Sequence, residues 1–366
     1  MNSLRFHWRL AADNSRLVGV SQDAKLQPSN PDRQQETLPD IENSLFFCRR
    51  AEEIGIDSLL TAFSYNRPDP IVLSTALAMA TEKLKFMVAY RPGVISPTLF
   101  VQQINTLSAL SNGRVSLNII MGHSQKEQGY YGDFLNHDRR YQRAEEFLKI
   151  CHALWRQNGG FTFKGSYYQI EQGQVGTPFV AAERSFPEIY IGGGSSPAQE
   201  LAANQGSCWL LLFDTPEKLR SRFQTLIKQG KEVGLRGSII ARPTRQEAVE
   251  AAYSLIRTGN KQSIEETFVK QSEFQSIKFA YQEEKGDANW LTPWLWKGAV
   301  PWHGPSSIAL VGTPIDIAEA IMEYKKIGCS QFIFSGWSEL EAMTHFGREI
   351  LPVVREMEKM SVPGNF

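Results

Sequence analysis

At 366 residues, 42% hydrophobic and 21% charged, the chain has the composition of a soluble globular protein, long enough for one large barrel or two ordinary domains. Lys+Arg and Asp+Glu both number 39, so the charge balance points to neither nucleic acid nor an anionic membrane. Cys48, Cys151, Cys208 and Cys329 are far apart with no C-x-x-C pair, and read as free, mostly buried thiols. The six histidines lack H-E-x-x-H or paired spacing, which argues against a metal site. Met1 to Leu10 has no signal-like apolar run and no long apolar stretch follows, so the expected location is cytoplasmic.

In chain order, Leu4 to Trp8 reads as a short strand and Ala11 to Pro39 as a polar loop. Leu45, Cys48, Ala51 and Ile54 have helical spacing, and Gly55 ends that helix. A strand over Ser58–Ala62, a helix over Pro70–Thr81, a strand over Leu84–Tyr90 and a helix over Pro97–Leu110 follow. Asn112-Gly113 turns the chain into the apolar run Val115 to Met121, a buried strand that contains Asn118. Arg139–Arg156 is a helix, and 159–187, rich in glycine and aromatics, is an insertion with a small hairpin. Strands at Glu188–Ile191, Cys208–Leu212 and Arg236–Ala241 then alternate with helices at Pro197–Asn204, Pro216–Val233 and Arg245–Thr258. Residues 259–305, a polar helix followed by Trp290, Trp294, Trp296 and Trp302, are too long for a connection and form a second insertion. A helix over Ile315–Ile327, a strand over Gln331–Ser335 and a helix over Glu339–Glu358 close the chain.

Strands alternating with helices in units of about 30 residues predict parallel crossovers. The eight strands predict a (β/α)8 TIM-like barrel of the α/β class, one domain over 1–358 with a tail at 359–366. An open doubly wound sheet is the alternative, weakened by the lack of a G-x-G-x-x-G turn after the first strand. In a barrel the site lies at the strand C-terminal ends.

Ile191-Gly192-Gly193-Gly194-Ser195-Ser196-Pro197 ends a strand and opens a helix. Free N–H groups, two hydroxyls and a helix dipole suit a phosphate there; the bland alternative is a glycine turn with Ser196 as N-cap. Asn118 is an amide in an apolar strand and needs a partner, structural or ligand. His137 to Arg143 opens a helix: Asp138 as N-cap beside solvated arginines is one reading, Tyr141 with His137 or an arginine on a phosphate the other. Arg236 is either an inward cation needing an anion or a surface ion pair at a strand start. His303, between Trp302 and Gly304, is either a lid residue or simply packed.

Several stretches together resemble the bacterial-luciferase-like flavin monooxygenases, most closely the FMNH2-dependent alkanesulfonate monooxygenases. They are Lys83 to Pro92 with Ser96-Pro97-Thr98, Leu110 to Arg114, Asn118 with Gly122, and Asp138-Arg139-Arg140-Tyr141. Tyr190 to Gly193 with Ser195-Ser196, Ala198 to Ala203, Leu295-Trp296 with Gly298, Ala309 to Gly312 and Ser335-Gly336 complete the match, across roughly 4–357. The resemblance implies a TIM-like barrel, FMNH2 supplied by a separate NAD(P)H-flavin reductase, O2 as co-substrate through a C4a-peroxyflavin, and a homodimer or homotetramer. It implies Gly193, Gly194, Ser195 and Ser196 on the flavin phosphate with Tyr141 and His137, and Val88, Ala89, Asn118 and Gly122 near the ring or ribityl chain.

On the substrate side the chain departs from that pattern. Arg236 matches a family arginine, but the histidine two residues on is Ser238, the loop arginine aligns with His303, and a tyrosine with Trp337. The family cysteine after the second strand falls near Arg67. Arg236 is therefore expected to orient an anionic substrate, His303 to donate a proton or contact the anion, and Trp337 to wall the pocket. Two alternatives stay open: an F420-dependent hydride-transfer enzyme, and a non-catalytic flavin-binding subunit.

Overall fold

The computed structural model describes residues 3–11, 39–122, 124–156, 159–256 and 289–360. The predicted loop between Ala11 and Pro39 falls almost wholly outside them, as do the polar helix expected after 259 and the end of the tail.

The strands in chain order are β1 (Arg5–Arg9), β2 (Ser58–Thr61), β3 (Lys85–Tyr90), β4 (Val115–Ile119), β5 (Phe161–Lys164) and β6 (Gln169–Gly173). Then come β7 (Glu188–Gly192), β8 (Cys208–Leu212), β9 (Glu232–Ala241), β10 (Leu295–Trp296), β11 (Ala309–Gly312) and β12 (Gln331–Ser335). Eight of them pair in parallel as β1–β2–β3–β4–β7–β8–β9–β12, and β12 returns to β1, so the barrel closes. The hairpin β5–β6 is the one expected in the first insertion.

The helices are α1 (Ile41–Glu53), α2 (Pro70–Ala78), α3 (Pro97–Leu110), α4 (Gln125–Tyr130), α5 (His137–Arg156), α6 (Ser196–Gln205), α7 (Pro216–Ile227) and α8 (Arg245–Ser254), followed by Pro314–Lys326 and the helical run 339–360. Several begin with one device: a Ser, Thr or Asp cap with proline in the first turn, as at Asp69-Pro70, Ser96-Pro97 and Thr215-Pro216. The side-chain oxygen takes a free N–H, and the proline supplies a ready φ.

Strand alternation divides the side chains in two. Leu59, Phe86, Leu117, Ile189, Trp209, Leu235 and Phe332 face the helices and form the main core. Leu60, Met87, Ala89, Tyr190, Cys208, Leu210 and Ile333 fill the barrel interior. Below them lies a polar layer: His7 pairs with Ser58 (2.7 Å) and Gln331 (2.9 Å), and Arg5 holds Glu188 and Glu232.

The boundary between the helix from Pro216 and the following strand is corrected. The helix from Pro216 stops at Ile227, Gly230 turns the chain at φ +73°, and Val233 lies in β9, which starts at Glu232. Arg236 therefore sits mid-strand, not at a strand start. The strand β11 was not read from the pattern. It takes the edge of β9 beyond β8: the Phe213 N–H donates to the Arg236 carbonyl, and the Ser238 N–H to the Ile308 carbonyl. Helix α4, short and polar, was also unread.

Candidate active site at the C-terminal mouth of the barrel

The turn from β7 to α6 is anchored to β8, the Gly193 N–H donating to the Leu210 carbonyl (3.2 Å). Gly193 has φ +135°, a conformation that disfavours any side chain. Trp209 Nε1 donates to the Gly193 carbonyl (2.8 Å) and Arg222 to the Gly194 carbonyl (2.6 Å). Both carbonyls are thus tied back toward β8 and α7, and Arg222 lies over the Trp209 ring at 5.1 Å. Ser195, rather than the expected Ser196, caps α6, its Oγ accepting the Ala198 N–H (3.4 Å). Ser196 is exposed at the helix start.

Two buried polar atoms near this turn have no hydrogen-bond partner of ordinary geometry among the described residues. The Tyr141 hydroxyl, close to the Ser195 side chain, is one; burial raises its pKa to about 12, with Ser195 opposing. The Asn118 Oδ1 is the other, 3.6 Å from where a Cβ on Gly192 would stand. Asn118 lies in register between Ala89 and Tyr190 on the inner face of the barrel. A buried acceptor without a donor costs about 1–3 kcal/mol, so the site retains two such groups at the expense of stability.

His137 starts α5, bonds Asp138 through Nδ1 (2.8 Å) and lies 4.9 Å from the Tyr141 ring. Asn136, not Asp138, caps this helix, its Oδ1 accepting the Arg139 N–H (3.0 Å). Of its arginines only Arg139 is solvated: Arg140 is buried and Arg143 pairs with Asp133 at 2.5 Å. Two predicted cofactor residues are placed differently from the rest. Val88 points into the layer between strands and helices, so only its backbone is available to the mouth. At Gly122 (φ +72°) a Cβ would stand 2.0 Å from Gln128 Nε2, so packing alone accounts for this glycine. Ala89 does face inward.

The other side of the mouth is cationic. Arg236 lies on the inner face of β9, and no hydrogen bond or ion pair reaches its guanidinium among the described residues. Burial, then Arg9 and Arg67, push its pKa down to about 10, with Glu339 opposing. Glu339 is fully buried and occupied: Arg9, Trp8 Nε1 (2.9 Å) and the Gly336 N–H (2.9 Å) all donate to it. Arg236 therefore has near it only a carboxylate that Arg9 already holds. Ser238 bonds Ser335 (2.9 Å) and the Ser306 carbonyl (3.0 Å), tying β9 to β12 and to the segment after His303. His303, exposed at the end of a short helix, meets Trp337 edge to face at 5.6 Å. Ser338 follows with φ +57° and a buried Oγ without a partner, local strain next to Trp337.

The family model for luciferase-like monooxygenases matches residues 20–331. The chain belongs to that family.

Solved structures share the fold of this luciferase-like chain. A riboflavin lyase with modified FMN and riboflavin is 18% identical, with TM-score 0.76 over 98% of this chain and 92% of that one. EDTA monooxygenase from Chelativorans sp. BNC1 is 17% identical, with TM-score 0.77 over 97% and 94%. An F420-dependent secondary alcohol dehydrogenase with an F420–acetone adduct is 18% identical, with TM-score 0.65 over 97% and 100%.

Several residues around the candidate site carry no mark in the sequence: Trp209, Arg222, Glu339 and Ser338. Arg9, at the end of β1, is among the residues that the strand-end rule picks out. Trp209 and Arg222 act on the turn from neighbouring elements, and no local pattern marks them. No helix among the described residues is long and apolar enough to cross a membrane.

Proposed function

We propose that the chain is the oxygenase of a two-component system, taking FMNH2 from a separate NAD(P)H-flavin reductase and using O2 to oxygenate a small organic anion. Alkanesulfonates, converted to aldehyde and sulfite, are the first candidates. The observation that carries the reading is the pair of buried atoms without a partner among the described residues, Tyr141 Oη beside Gly193 and Asn118 Oδ1 beside Gly192. A flavin phosphate beside a ring or ribityl donor matches both needs.

Bound reduced flavin supplies the electrons that activate O2. The chain does the rest. Gly193, Gly194, Ser195 and Ser196 hold the phosphate with the positive end of α6, and Tyr141 donates its O–H there, with His137 alongside. Asn118 would accept from the ring or ribityl chain, with Ala89, the Val88 backbone and Gly122 as the other residues near it. Arg236 orients the substrate anion, supported by Arg67. His303 donates a proton or a second contact, and Trp337 walls the pocket. The charge of Arg236, opposed only by the already committed Glu339, supports an anionic substrate; EDTA, acted on by one of the similar enzymes, is a polycarboxylate. A homodimer or homotetramer is supported by the largely apolar α2, whose Val72 is 69% exposed.

The test supplies FMNH2 from a flavin reductase in air to a panel of alkanesulfonates and small carboxylates. Substrate-dependent product, sulfite for the sulfonates, that disappears in Arg236→Ala supports the reading. Flavin oxidation uncoupled from every anion contradicts it.

A further inference from the structure

The other end of the barrel carries a feature that the mouth chemistry does not use. A cavity of about 580 Å³ opens among the loops that enter β7, β8 and β9, within the range of metabolite sites. Its wall includes Arg5, Arg156, Arg184 and Lys231 but only two carboxylates, Glu188 and Glu232.

Both carboxylates are already committed. Arg5 takes Glu188 through two bonds (2.8 and 2.7 Å) and also takes Glu232. Arg184 reaches Glu188 only at 3.5 Å, on an oxygen that Arg5 already holds. Arg156 lies over the Phe186 ring at 5.2 Å, with no carboxylate in ion-pair range among the described residues. Lys231 donates to the Gly206 carbonyl (2.8 Å), and burial lowers its pKa. His152 also lines the cavity, and it is more than nine-tenths buried. Its Nε2 donates to the Gln205 carbonyl (3.1 Å), which leaves Nδ1 a buried acceptor with no partner.

Arg156 and Lys231 thus stand in excess of the carboxylates around this one cavity, and excess positive charge lining a cavity suits an anion. We propose that this basal cavity is a binding site for a small organic dianion, held by Arg156, Lys231 and Arg184. A phosphate monoester and a dicarboxylate both have that chemistry. The site is independent of the flavin reading, since it shares no residue with the mouth.

Calorimetric titration of the full chain in low-salt buffer, with succinate and separately with glycerol phosphate, tests this. One probe is expected to bind at one site per chain, weakened at least about tenfold in the double variant Arg156→Gln/Lys231→Gln. That binding should persist in Arg236→Met and in Ser195→Ala, and the tighter probe identifies the ligand class. The glutamines keep hydrogen-bonding capacity at half-buried or exposed positions, so folding is preserved. Absence of binding by both probes, survival of full affinity in the double variant, or loss in Arg236→Met or Ser195→Ala would each overturn the proposal.

Discussion

The Tyr141 hydroxyl lies 2.8 Å from the point where a Cβ on Gly193 would stand. The glycine keeps open the space into which the tyrosine presents its only polar atom. Gly193→Ala meets both a φ of +135° and that contact. It should lower FMNH2 affinity at least tenfold, about 1.4 kcal/mol, and cost about 1–2 kcal/mol of stability. Anaerobic flavin titration and urea unfolding measure the two. Unchanged affinity would remove the turn from the flavin site.

Asn118 carries an unpaired buried oxygen. Asn118→Leu removes it at similar volume, so the flavin-free chain should be as stable as the parent or more so, by up to about 2 kcal/mol. Flavin affinity should fall. Thermal melts with and without FMNH2 separate these effects; a large loss of stability in the flavin-free chain would make Asn118 purely structural.

Arg236 is a cation with no carboxylate of its own. With its pKa down at about 10, below the unfolded value, the cost is fully present at neutral pH and is relieved only as pH rises above 10. Arg236→Met should therefore raise the melting temperature while cutting turnover about 100-fold or more, with flavin affinity little changed. A parallel loss of flavin affinity would place the residue on the cofactor instead.

His7 stands in the barrel interior, where burial lowers its pKa; Gln331 and Asp57 oppose that shift and Arg5 adds to it. The ring is neutral in the fold, donating to Gln331 Oε1 and accepting from Ser58. Because the unfolded chain binds the proton first, stability is lost as pH falls below the ordinary histidine value of about 6.5. His152 and His345 are shifted the same way and share that window. Melting temperatures between pH 7 and 5 should fall, and His7→Gln should flatten the slope. An identical slope in the variant would contradict this role for His7.

The barrel was legible because buried parallel strands are apolar runs and their helices begin with capped prolines. The glycine-serine turn was legible for the same reason: its chemistry is local. β11 was not, since four apolar residues between a loop and a helix have no period of their own, and its place depends on the edge that β8 leaves free. The cap moved from Ser196 to Ser195 because hydroxyls one residue apart look alike until the carbonyls are tied. Arg9 and Glu339 meet across 330 residues, and that pairing exists only in the closed barrel. The basal cavity is of the same kind, with cations from α5, the loop before β7 and the loop before β9.

Anaerobic titration of the chain with FMNH2, and in parallel with reduced F420, followed by rapid mixing with O2, tests the central claim most directly. The account predicts one FMNH2 per chain, weakened in Gly193→Ala and Tyr141→Phe, and an O2-dependent absorbance transient before the flavin reoxidises. Binding of reduced F420 alone, with no reaction toward O2, would contradict it.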